Sequence, residues 1–163
     1  MLIERNTKKK CGKVAKGRNR RIRIVMVSSD NLAATRADFM VGEMVAQSDD
    51  PSRFLRQRWN VDELENSEKL KSAARAGKVA SLLILAIHCD ADLPASVLDW
   101  LERSIDAKKP RSAAMVALLE LPPGSTSVHQ RTRRSLENAS AARRLGFFVH
   151  ELNVSESWYK RLV

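Results

Sequence analysis

The chain has 163 residues, enough for one domain of common size whose core needs neither disulfides nor metal. Apolar residues make up 44% and charged residues 29%, the balance of a globular protein; no apolar run approaches the roughly 18 residues of a bilayer span. The net charge of +10 is concentrated at one end: residues 1–23 hold ten Lys or Arg against the single acid Glu4, whereas the rest holds 19 basic and 18 acidic groups.

Residues 1–20 read as a flexible basic tail ahead of a single α/β domain over 21–163. The tail lacks the continuous apolar region of an export signal, which makes a cytoplasmic location the expectation. Through residues 1–23 it suits nonspecific, salt-sensitive contact with nucleic acid or an anionic surface, although it has no aromatic side chain to stack on bases. Cys11 and Cys89 show no metal spacing and read as reduced thiols.

In chain order, Arg21 and Arg23 alternate with Ile22 and Ile24 ahead of Val25-Met26-Val27, the pattern of a first strand that stops at Ser28-Ser29-Asp30-Asn31. Asp30 or Asn31 can cap a helix, and Leu32, Phe39, Met40 and Met44 recur at helical spacing until the break at SDDPS. Residues 53–61, RFLRQRWNV, alternate as a one-sided or edge strand does. Asn66 or Ser67 opens a second helix through about Gly77.

Residues 81–88 are almost wholly apolar, as expected of a strand covered on both faces. Pro94 then fits the first turn of a third helix with Val97, Leu98, Leu101 and Ile105 as its buried stripe. AAMVALLEL, residues 113–121, is a further buried strand closed by Pro122-Pro123-Gly124. Ser125 or Ser127 caps a fourth helix, for which Gly146 is the expected stop, and residues 147–149 form the last strand. After SESWYKRLV only a short final helix of about two turns is expected. That leaves one sheet face thinly covered, to be patched by Trp158, Tyr159 and Leu162 or by a protein partner such as a second copy in a homodimer.

Five strands alternating with helices predict a three-layer α/β sandwich with a mainly parallel sheet in the doubly wound order 2-1-3-4-5. In that order the C-terminal ends of strands one and three straddle the ligand crevice. Ser28, Ser29, Asp30 and Asn31 then stand on one side of it, and His88, Asp90 and Asp92 on the other.

With this layout and with Asp90 four residues before Pro94, the chain resembles the receiver domain of bacterial response regulators, a flavodoxin-like fold, over roughly residues 21–155. The resemblance implies an aspartate phosphoacceptor at Asp90 and a Mg²⁺ site, for which Ser28 and Ser29 replace the family's acidic pair, with Asp30 next in line. VALLEL supplies no hydroxyl, and FFVHEL no lysine, where the family uses them. The implied function is therefore a non-catalytic, degenerate receiver-like signalling or protein-interaction module.

The alternative reading is a flavodoxin-like protein or enzyme that binds a small molecule, flavin or nucleotide, at the SSDN and HCDAD loops. The SSDN turn can receive an anion at a helix N-terminus but lacks the glycines that let a backbone approach phosphates closely. Asp90 and Asp92 together with Asp30 offer the carboxylates of a cation site, but the two also precede a proline-initiated helix, a pattern that capping selects, and His88 at a strand end reads as a hydrogen-bonded group. His150 and Glu151 are sequence neighbours and on a strand would face opposite sides. No nucleophile, base and orienting group can be read off together, so no catalytic residue is assigned.

Overall fold

The computed structural model describes residues 20–105 and 113–153. The tail over residues 1–19 and the expected final helix with Trp158, Tyr159 and Leu162 lie outside the described residues.

Five strands, β1 (Ile22–Ser28), β2 (Phe54–Asn60), β3 (Leu82–His88), β4 (Ala114–Leu121) and β5 (Gly146–Asn153), form one sheet in the order β2-β1-β3-β4-β5, with every pairing parallel. This is the expected doubly wound arrangement. Four α-helices connect them: α1 (Asn31–Ala46), α2 (Ser67–Lys78), α3 (Ala95–Ser104) and α4 (Thr126–Ala142).

The pleat divides the core in two, because successive strand side chains point to opposite faces. Val25, Val27, Leu83, Leu85, Ile87, Met115, Ala117 and Leu119 pack with Leu70, Trp100, Leu101 and Leu136 of α2, α3 and α4. Ile24, Met26, Ile84, Ala86 and Leu118 pack on the other face against Ala33, Ala37 and Val41, which stand one above the other on α1. Strand β3 contributes to both clusters, which is why its sequence is apolar without alternation.

Among the described residues α1 is the one helix packed on the second face. Phe147 and Val149 turn toward the α2–α4 side, so Phe148 between them faces the α1 side, where it is 61% exposed. Phe39, expected in the buried stripe of α1, is 71% exposed; the buried stripe is Ala33, Ala37 and Val41. Small residues there let α1 lie close to the sheet.

Two helix ends differ from expectation. Pro94 is the N-cap of α3, one position before the helix, with φ −58° and ψ 140°. Helix α4 ends before Gly146: Arg144 takes the left-handed conformation (φ 55°), and the N–H groups of Arg144 and Leu145 donate to the carbonyls of Ala141 and Ser140. This is a Schellman-type stop with arginine where glycine is usual, and Gly146 becomes the first residue of β5.

Candidate functional site

The C-terminal ends of β1, β3 and β4 meet at the switch point of the sheet, and each contributes one polar residue there. Strand β1 runs into Ser28, Ser29 and Asp30, and Asp30 caps α1 by accepting the N–H of Ala33 at 2.8 Å. Strand β3 ends at His88, which is paired in register with Glu120 of β4. Both residues share the face occupied by Ala86 and Leu118, the face that α1 covers.

These groups form a chain of four charges. His88 Nε2 contacts Asp30 Oδ2, and His88 Nδ1 faces Glu120 Oε2 at 2.6 Å. Glu120 Oε1 in turn pairs with an Arg36 guanidinium nitrogen at 2.5 Å, from the second turn of α1. Glu120 is only 2% exposed, so its charge depends on these two cations rather than on water.

The electrostatics follow from the order of the four. The contact with Glu120, working against burial and reinforced by the charges of Glu120 and Asp30, raises the His88 pKa to about 9. Burial opposes ionisation of Asp30, but the Ala33 N–H and the His88 imidazolium outweigh it and hold its carboxyl below the usual range. The four side chains alternate acid and base along the contact chain, Asp30, His88, Glu120 and Arg36. Both His88 ring nitrogens face carboxyl groups, an arrangement that favours the protonated ring.

The other residues singled out from the sequence fall elsewhere. Asn31 is the first residue of α1. Asp90 is exposed in the turn after β3, and Cys89 before it is buried, with its thiol pushed up to about 11 by burial and by the charges of Asp90, Glu151 and Glu120. Asp92 pairs with Arg131 of α4 at 2.8 Å instead of capping α3, whose N-terminus has no side-chain cap. Glu151 meets His129 and Arg133 across the α4–β5 boundary, at 3.0 and 2.8 Å. Among the described residues no group of three or more His, Cys, Asp and Glu is disposed to hold a metal ion, and the carboxylate of Asp30 is committed to His88 and Ala33. The Mg²⁺ that a receiver resemblance implies therefore does not fit at Asp30.

Two functional-site residues escaped the sequence. Glu120 sits in an apolar run, and its single acid was the available signal; Arg36 lies in a helix with no motif around it. Only the β3–β4 register and the crossing of α1 over the sheet bring them to His88.

Beside this network, at the ends of β4 and β5, is a cavity of about 370 Å³. Leu121, Pro122 and Pro123 form an apolar wall, and Ser125, Thr126, His129 and Asn153 present polar groups. Gly124 turns the chain into α4 with φ 80°, a conformation that favours glycine.

No family model and no curated protein matches the chain. Among solved structures it is similar to an NADH:FMN oxidoreductase in its apo form, with 18% identity over 86% of this chain and 84% of that one, at a TM-score of 0.57. It is also similar to Smu.1420 from Streptococcus mutans UA159, with 12% identity over 86% and 94% of the two chains, at 0.55. The fold is flavodoxin-like. At these identities the likeness carries the fold and no site residue.

Flavodoxin-like folds hold FMN at the β1/β3 switch point, and phosphates favour helix N-termini. Here the β1–α1 turn has only Ser29 and Asp30 between strand and helix, and the Asp30 carboxylate already takes the first-turn N–H that a phosphate would use. A phosphate placed there would compete with the Asp30 carboxylate for that N–H. The α1 end of the crevice therefore does not fit the phosphate of a flavin nucleotide.

Proposed function

We propose that the chain is a flavodoxin-like small-molecule-binding protein whose ligand, an aromatic heterocycle of the flavin or nucleotide class, lies over the β4–β5 rim and not at the β1–α1 turn. The observation that carries this reading is the cavity of about 370 Å³ at the C-terminal edge of a parallel sheet. Open α/β sheets bind ligands along that edge, and the volume lies within the roughly 300–1,000 Å³ of ligand pockets. The apolar Leu121, Pro122 and Pro123 in its lining suit an aromatic ring, and Thr126 and Asn153 supply polar groups beside them. Similarity to an NADH:FMN oxidoreductase supports the ligand class.

The test is native mass spectrometry of the purified full-length protein, followed by thermal shift with riboflavin, FMN and adenine and guanine nucleotides. Expected is either a retained ligand mass or stabilisation of about 2.7 kcal/mol at a hundredfold excess over Kd. Thr126→Trp, which fills the cavity from the first turn of α4, should abolish it. A bare chain with no shift across the panel would overturn the reading.

A second reading, the non-catalytic degenerate receiver-like module, is supported by Asp90, which is exposed in the turn between β3 and α3. Its neighbours differ from those of a working receiver, since β4 ends in Glu120-Leu121 and β5 carries no lysine. An unchanged mass after acetyl phosphate and Mg²⁺ is the result expected of a degenerate module; a phosphoryl adduct lost in Asp90→Asn would overturn it in favour of an active receiver.

A further inference from the structure

The opposite end of the sheet has different chemistry. Strand β2 is an edge strand, paired only with β1. Along β1 and β2 stand Arg20, Arg21, Arg23, Arg53, Arg56 and Arg58, and no acid occurs within residues 20–28 or 51–60. Arg58 pairs with Asp38 of α1. Among the described residues Arg20, Arg21, Arg23, Arg53 and Arg56 have no ion-pair partner. The nearby Asp50 is turned to the backbone and hydroxyl of Ser52. Arg53 donates to the carbonyl of Arg20 at 3.1 Å, which draws the starts of the two strands into one corner.

Blunting an edge strand against aggregation needs only a charge or two. Five guanidinium groups without an ion-pair partner among the described residues are a larger positive field than that task requires, and seven further cationic residues precede them in positions 1–19. Guanidinium forks match phosphate oxygens in pairs.

The register sets how the arginines are spread. Arg23 is level with Leu55 and shares the face of Val25, whereas Arg56 is level with Ile24 on the face of α1. The charges thus wrap around both sides of the edge. A flexible phosphate backbone can follow such an edge. A bilayer also needs apolar side chains to bury, and Leu55 is the one large apolar side chain that β2 exposes.

We propose that the β1–β2 edge is a docking surface for the phosphate backbone of single-stranded nucleic acid. Recognition is by charge and is independent of sequence, since the surface offers no row of exposed aromatic rings. The surface lies at the far end of the strands from the crevice, so it stands or falls separately from small-molecule binding.

The test is fluorescence anisotropy of the full-length protein with labelled 20-nucleotide U-only RNA and T-only DNA across a salt series. The comparison is a variant carrying Arg23→Ala, Arg53→Ala and Arg56→Ala, with circular dichroism confirming its fold and the Arg→Lys triple variant as a charge-retaining control. Loss of three phosphate contacts should reduce the slope of log K against log salt by about 2 and weaken binding at least tenfold near physiological salt. The lysine variant should keep most of both, and a preference between RNA and DNA would identify which backbone is bound. Unchanged slope and affinity in the alanine variant, no binding by the parent protein, or equally tight binding to phosphatidylserine vesicles would each overturn the proposal.

Discussion

His88 ties the folded stability of this protein to pH in a way that can be worked out from its two neighbours. Its pKa rises from an ordinary 6.5 to about 9, corresponding to about 3 kcal/mol in favour of the protonated ring, and partial solvent screening reduces this to about 2 kcal/mol. Because the folded-state value is the higher one, the contribution is complete below the unfolded pKa near 6.5 and is lost as pH rises through about 9. The perturbation is His88→Gln, which keeps a polar side chain but cannot carry the charge. Urea unfolding of both proteins at about pH 6 and about pH 9 measures the stability gap between them. The gap should shrink by about 2 kcal/mol over that interval. Cys89, held protonated in the fold with its thiol at about 11, adds its own loss of stability at alkaline pH, but it does so in both proteins and cancels in the difference. A gap that stays constant with pH would show that His88 is not a clamped imidazolium, and would return it to consideration as a neutral base.

Removal of the shared anion should cost more than removal of the ring: Glu120→Ala leaves both His88 and Arg36 beside a site that is almost fully buried, and a loss of about 3–5 kcal/mol in urea unfolding is expected. Gly77→Ala should destabilise by about 1–2 kcal/mol despite better helix propensity, since the new Cβ would stand 2.5 Å from the Ser104 Cβ where α2 and α3 touch; Ser104→Gly in the same chain should restore most of it. At the end of α4, Arg144→Gly relieves a left-handed arginine and should raise stability by about 0.5–1 kcal/mol, seen as a higher melting temperature with no change in helix content.

Strand order and the four connecting helices were legible in the residues because they depend on local periodicity. The apolar run of β3, the arginine-interrupted pattern of the edge strand β2 and the capping residues Asp30 and Asn66 specify elements within a few positions, and short right-handed connections leave few ways to assemble them. The places of His88 and Asp30 at the ends of β3 and β1 were legible for the same reason. Their partners were not. Glu120 lies 32 residues beyond His88, and Arg36 sits on a helix whose rotation is set by how Ala33, Ala37 and Val41 seat on the sheet. Asp92 likewise serves Arg131 instead of its own helix, and Arg144 takes the turn that Gly146 was expected to make. Sequence alone determines which stretches are apolar and where they stop, since both depend on near neighbours. Which charge finds which counter-charge was decided by the tertiary structure, because a buried ion pair is selected by distance in space and carries no trace in chain spacing.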